Sequence, residues 1–387
     1  MLQQHTIALC LLLEAAAVVV DLPKQRITPL GGTAQSSTSK RGAACEQLQS
    51  WLSEHGGDAA VEVGASRRGG WGLITSRHVR AGEVLARVPR QLACCANDAP
   101  AYLVATRDRH ELGRLSARGA VAAKVCEAAS DDAYSPWLEA QPSMADLESL
   151  PVLWDDATKL LRGCRNGHLA TEAKALWRRE LETANRRRRA FDASLDELGW
   201  PEWAHAQALV LSRGNAPAGL GYALVPVLDF VNHADDRDGA QRLGFRVDEH
   251  DIYLIANRDF RRGAEAASSY VGGVGPLPAD YALHAFGFVP DGYRSCAVRV
   301  GDHEVALTTT GDTAWDAAAL HAAREGAPDG ALAAAREALE TLDAGASSRA
   351  AAAAIADPVR ADLARSAAAG ERAALVDLVG ALAEAAA

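Results

Sequence analysis

The stretch that decides the reading is Val225–Ala234, VPVLDFVNHA. Asp229, Asn232 and His233 stand in a run that is otherwise apolar. Polar groups in a buried segment need partners, or each costs about 1–3 kcal/mol. The segment is therefore either a satisfied core cluster or the polar wall of a pocket. Upstream, the mostly apolar run Ala206–Leu211 leads into Ser212, Arg213, Gly214 and Asn215. Arg213 there suits a helix terminus, where a cation meets the helix dipole. Downstream, Arg262–Tyr270, RGAEAASSY, ends a short strand on Tyr270, and Gly272, Gly273 and then His284–Val289, HAFGFV, follow. Far upstream lies Gly69–Leu73, GGWGL. Its glycines let backbone approach a ligand closely. Taken singly, each segment has an ordinary structural meaning.

The surroundings alternate between two kinds of pattern. Glu46–His55 reads as a helix with Leu48, Trp51 and Leu52 on one face. Val61–Pro89 alternates and is broken by glycine, as strands and tight turns are. From Ala101 to His205 the apolar spacing turns helical, and Arg178–Arg179 and Arg186–Arg189 read as a solvated face of that block. Phe245–Asn257 reads as a hairpin turning at Asp248–Asp251, and Cys296–Leu307 as a second, turning at Gly301–Asp302. After Asp312 the chain is Ala-rich helix, broken at Gly326–Gly330 and Ala344–Ser348. Asp357–Pro358 supplies an N-cap and a first-turn proline. The order predicts an α+β chain: a small β core, one helical insertion and a helical tail.

Composition narrows the function. With 387 residues, 49% hydrophobic and 23% charged, the chain has room for two or three globular domains. A net charge of −10 argues against a general nucleic-acid binder. The seven cysteines form no CxxC and no zinc-type spacing, so they read as buried thiols and no metal is expected. Residues 6–20 are apolar apart from Thr6 and Glu14, too short and interrupted for a stable membrane insertion. Leu22–Cys45 has no acidic residue and carries Lys24, Arg26, Lys40 and Arg41. A signal-like piece followed by a transit-like piece makes residues 1–44 a targeting segment or a disordered tail, with a plastid address expected and the cytoplasm as the alternative.

Taken in order, Gly70-Trp71-Gly72, Asn232–His233 after an apolar run, Gly263-x-Glu265 followed by Tyr270, and Gly287–Phe288 resemble the SET domain of protein methyltransferases. The fit is to the branch that methylates the Rubisco large subunit, which is related to the actin-histidine methyltransferase. Ser135–Pro142, SPWLEAQP, with Trp154 after it, resembles the start of that branch's helical insertion. The resemblance spans roughly residues 46–380 and implies a β-rich SET domain with a pseudoknot, formed by residues 45–100 and 206–290. It implies a helical insertion over 101–205 and a helical substrate-binding domain over 291–387. The absence of clustered zinc-binding cysteines fits this branch.

The resemblance implies S-adenosylmethionine as cofactor, presented to the backbone of Gly70, Trp71 and Gly72, held by Asn232 and His233, and flanked by Arg213. Tyr270 is then the catalytic residue, and Asn215, Leu228, Asp229 and Phe286 bound the target side chain. Methyl transfer to an amine needs alignment and a neutral nitrogen, although free Lys has a pKa of about 10.4. A narrow low-dielectric channel disfavours the ammonium form. The partner is a protein substrate, with the Rubisco large subunit or plastid aldolase as first candidates, and the enzyme is expected to be a monomer. Some positions depart from the pattern: Val271 follows the tyrosine, Pro278–Ala279 replaces Ser-Asn, and Phe286 stands where some members carry a second tyrosine. Asn215 matches the histidine-directed branch, whereas Leu228 does not. Lysine is the expected target, with histidine, or a catalytically weak interaction protein, as alternatives.

Overall fold

The computed structural model describes residues 40–67, 70–234, 243–270, 277, 279–289, 294–300, 303–309, 328–354 and 356–386. Residues 1–39 of the expected targeting segment lie outside this set, as do Gly69, Val271, Gly272, Gly273, Pro278, Gly326 and the Gly301–Asp302 turn. The chain forms two compact units: Met1–Ser143 with Trp177–Gly275, and Met144–Leu176 with Pro276–Ala387.

In the first unit, α1 (Lys40–Glu54) opens the described chain. The helix expected from Glu46 thus begins six residues earlier, and Arg41 Nε anchors its first turn by donating to the Ala140 carbonyl at 3.0 Å. Leu48, Trp51 and Leu52 are buried, as their spacing predicts. Strands β1 (Asp58–Ala59), β2 (Val61–Ala65), β3 (Trp71–Thr75), β4 (Val84–Pro89) and β5 (Cys94–Cys95) follow. The helical block then supplies α2 (Ala101–Ala105), α3 (Ala117–Ala128) and α4 (Ser135–Ala140). Further along are α5 (Ala157–Leu160), α6 (Arg165–Phe191) and α7 (Trp200–Arg213), with the division between units falling inside α6. After them come β6 (Ala223–Leu224), β7 (Gly244–Val247) and β8 (Asp251–Ile255).

The strands pair antiparallel. One sheet has the order β1-β4-β8-β7, β2 pairs with β3, and β5 pairs with β6. The β7–β8 hairpin sets Phe245 opposite Leu254 and turns where expected, with Asp248 Oδ1 accepting the amides of His250 and Asp251. Trp137, Trp203, Phe230, Phe260, Leu73 and Leu85 are fully buried in this unit. Burial of each such side chain contributes about 1.5–3 kcal/mol.

In the arginine-rich stretch of α6, Arg178, Arg179, Arg186 and Arg189 are exposed as a solvated face would be, and Arg187 is the exception. Arg187 is buried, donating through Nε to Gly113 O at 2.9 Å and through Nη1 to Thr106 O at 2.6 Å. Arg188 lies over the Tyr102 ring and Arg178 over Trp200. Arg189 pairs with Glu197 at 2.5 Å. Arg187 therefore braces the helical block from within.

The second unit contains α5, the first part of α6, α8 (Ala279–Phe286), β9 (Arg294–Val300), β10 (His303–Thr309), α9 (Pro328–Ala344), α10 (Ala346–Ala353) and α11 (Pro358–Ala386). β9 and β10 form the second expected hairpin, with Val300 opposite His303. Leu160, Leu161, Leu283, Leu342, Leu363, Leu375, Leu378 and Leu382 make its core, with small alanines between them. Asp357 caps α11 as expected, its Oδ1 accepting from Val359 N at 2.9 Å and Arg360 N at 3.2 Å.

Candidate active site

Three separate segments of the first unit meet beside β3. The chain from Glu265 to Ser268 lies between β3 and the Asn232–Ala234 segment. It bridges Ile74 antiparallel through Glu265 and His233 in parallel through Ser268. Ala266 N donates to Leu73 O at 2.7 Å on one side, and Ser268 N to Asn232 O at 2.9 Å on the other. This pairing brings GWG, Asn-His and the tyrosine segment together.

Glu265 is the hub of the junction. Its Oε1 accepts from Ser66 Oγ at 2.7 Å and from Asn232 Nδ2 at 2.9 Å. Asn232 Nδ2 also donates to Trp71 O at 3.1 Å. A Cβ on Gly72 would stand 2.6 Å from both Asn232 Nδ2 and Glu265 Oε1. Glycine is needed at 72 because the protein's own clamp fills that space. Gly70 is different: φ is +66° and nothing lies within 4 Å of its Cβ direction, so its backbone faces open space.

His233 and Tyr270 form the next pair. Tyr270 N donates to His233 Nδ1 at 3.2 Å, so that ring nitrogen carries no proton. The rings lie 5.0 Å apart. The Tyr270 hydroxyl donates to Val231 O at 2.9 Å, which fixes its proton. Burial pushes the phenol up to about 12. It stays protonated at neutral pH.

The Val225–Ala234 segment enters this junction through a tight reversal. Leu228 N donates to Pro226 O at 2.8 Å, and Val227 between them has φ +68° and ψ −49°. That is a γ-turn of the rare positive-φ kind, strained for a β-branched residue. Asp229 follows, 4% exposed, its Oδ2 accepting from Trp137 Nε1 at 2.9 Å and Gln141 Nε2 at 2.8 Å. Burial pushes its carboxyl up to about 6, against the opposing pull of the nearby Arg213 charge. Arg213, at the end of α7, donates through Nη1 to Asp229 O at 2.8 Å and lies 5.3 Å over the Phe230 ring. Its Nε is buried with no hydrogen-bond acceptor.

Of the target-side residues expected from sequence, Leu228 is buried in the Val227–Phe230 reversal. Asn215 pairs its backbone with Ala223 and donates through Nδ2 to Arg213 O at 3.2 Å. Phe286 belongs to the second unit, at the end of α8, edge-on to Tyr281 at 5.7 Å. Beside the junction, a cleft of about 410 Å³ is lined by Cys45, Glu46 and Gln49 of α1, by Glu62–Ala65 of β2, and by Trp71. That is within the size range of small-molecule sites.

This arrangement has solved counterparts. The SET domain of LSMT bound to lysine and AdoHcy matches with a TM-score of 0.65 at 14% identity, covering 88% of this chain and 91% of that one. The fold is that of a SET domain. The structure of Rubisco LSMT bound to AdoMet matches with a TM-score of 0.63 at 13% identity, over 88% and 92% of the two chains. No family model and no curated protein sequence matches the chain. At this identity the likeness is one of fold, including its helical parts.

Within the SET fold, the structure brings Gly70, Trp71, Gly72, Asn232, His233 and Tyr270 to one junction, with Arg213, Leu228 and Asp229 continuous with it through Asp229–Val231. Sequence reasoning missed Glu265, Trp137 and Gln141 as contributors. Glu265 had a signal, the Gly263-x-Glu265 spacing. Trp137 lies in the SPW stretch, but neither it nor Gln141 had any signal linking it to Asp229, some ninety positions away.

Proposed function

We propose that the chain is an S-adenosylmethionine-dependent protein-lysine N-methyltransferase acting on a non-histone protein. The observation that carries the reading is the Tyr270 hydroxyl, oriented by Val231 O, at the junction built by Asn232, Glu265 and Trp71. The residues suit the cofactor. Arg213 offers a buried N–H with no acceptor, and Gly70 turns its backbone to open space. Arg213, Asn232, His233 and the Gly70–Gly72 backbone would hold it. When bound, S-adenosylmethionine supplies a methyl group on a sulfonium.

The protein's share of the work is positional. Tyr270, with its O–H directed to Val231 O, would accept an N–H of the target at its oxygen and so direct the nitrogen lone pair. Its buried surroundings disfavour the ammonium form of a target lysine. Asn215 favours a second reading, a histidine target: Nδ2 is spent on Arg213 O, and Oδ1 is left to accept an imidazole N–H. The plastid and the Rubisco large subunit or plastid aldolase are the first compartment and targets to try.

The test incubates the purified chain with methyl-labelled S-adenosylmethionine and a plastid protein extract, beside Tyr270→Phe. A labelled band is expected in the first, reduced about a hundredfold in the second, on the scale of one lost positioned hydrogen bond. Mass spectrometry of the band separates lysine from histidine. Cofactor binding without label in any extract would leave an interaction protein instead.

A further inference from the structure

Arg213 raises a question of charge. Arg213 is half-buried, with its Nε buried, and a guanidinium drawn partly out of water is stabilised by an anionic partner. The Asp229 carboxyl feels the Arg213 charge, and Arg213 binds the backbone carbonyl of that same residue at 2.8 Å. Yet no ion pair joins the two. Oδ2 of the Asp229 carboxylate is instead taken by Trp137 Nε1 and Gln141 Nε2. Both donors are buried: Trp137 is the third residue of α4, and Gln141 follows its last residue. Oδ1 of Asp229 and Nε of Arg213 are each buried with no hydrogen-bond partner, so the pair has not closed.

The other groups around Arg213 do not neutralise it. The Tyr270 phenol and the Cys45 thiol feel its charge, but burial pushes both up, to about 12 and about 11, so they remain uncharged. Glu265 acts on Tyr270 but is occupied by Ser66 and Asn232. The site thus contains a cation whose charge Asp229 feels, with that carboxyl held by two neutral donors.

We propose that Trp137 and Gln141 are positioning residues that hold the Asp229 carboxylate away from Arg213 and so keep that guanidinium for the carboxylate of the cofactor. The inference rests on the methyltransferase reading for the identity of the ligand. The ligand class is an α-amino acid carboxylate, which a guanidinium can engage with two parallel N–H donors. Without the α4 donors, the carboxylate of Asp229 satisfies itself on Arg213 and competes with the ligand.

The experiment is calorimetric binding of S-adenosylmethionine and of decarboxylated S-adenosylmethionine, which differ only in that carboxylate. Gln141→Met removes a donor at nearly constant shape, and Trp137→Phe removes the other. Each is expected to weaken S-adenosylmethionine about tenfold, the scale of one charge-assisted hydrogen bond, and to leave the decarboxylated ligand within about twofold. In an Asp229→Asn background, where no competing anion exists, Gln141→Met is expected to have no further effect. Equal weakening of both ligands, or the same loss in the Asp229→Asn background, overturns the inference while leaving the methyltransferase reading intact. Failure of the unmodified chain to bind either ligand overturns the cofactor reading, and this inference with it.

Discussion

Val227 shows how much of this site is held by conformation and not by contact. Its positive φ and the Leu228 N to Pro226 O bond define a turn that L-residues adopt at a cost of about 1–3 kcal/mol. The turn sets the direction of Asp229–Asn232, and hence of the Arg213 anchor and the Glu265 clamp. Comparison of Val227→Ala with Val227→Gly isolates the strain, since both lose the same isopropyl group. Glycine normally lowers stability relative to alanine by about 0.5–1 kcal/mol. Here Val227→Gly is expected to melt higher than Val227→Ala while binding S-adenosylmethionine more weakly. A lower melting point for the glycine variant would show that the turn carries no strain. At this scale the sequence displayed Asn232, His233 and Tyr270 by their types in an apolar setting. Val227 had no such mark, because nothing about a valine announces a left-handed backbone.

Elements were legible where local chemistry is self-sufficient. The β7–β8 hairpin follows from alternation plus the Asp248 turn, and α11 from the Asp357–Pro358 pair. Asp357→Ala is expected to cost about 1 kcal/mol, the usual worth of an N-cap. In a unit of this size that is a shift of about 2–4 °C in its melting transition. A shift of under one degree in calorimetry would mean that solvent replaces the cap without loss. Within the Arg186–Arg189 run, Arg187 alone is buried and departs from the solvated face, for the complementary reason. A charge pattern reports what a side chain would prefer alone, whereas Arg187 is satisfied by the carbonyls of Thr106 and Gly113, supplied from another part of the chain.

Each of the two units contains a carboxyl that burial raises, Asp229 to about 6 in the first and Glu371 to about 7 in the second. Glu371 accepts the Arg165 amide at the start of α6 at 3.0 Å through both oxygens, near Asp280, which pairs with Arg165 at 2.6 Å. Unfolded carboxyls titrate near pH 4, so between about 4 and these raised values the folded chain keeps protons that the unfolded chain has lost. Their contribution to stability is complete below about pH 4 and is lost as pH rises through about 6 and 7. Glu371→Gln keeps an acceptor for Arg165 and cannot ionise. Its melting temperature is expected to fall less than that of the unmodified chain between about pH 5 and 7.5; parallel curves would mean that Glu371 is already ionised in the folded chain. By itself the sequence determined the α+β pattern, the hairpins, the capped helix and the residue types of the junction, because periodicity, turns and caps act over a few residues. Only the tertiary structure decided which groups meet: Glu265 on Asn232, Trp137 and Gln141 on Asp229, Arg187 on Gly113. Those contacts join positions far apart in the chain, and they are chosen by the requirement that every buried polar group find a partner.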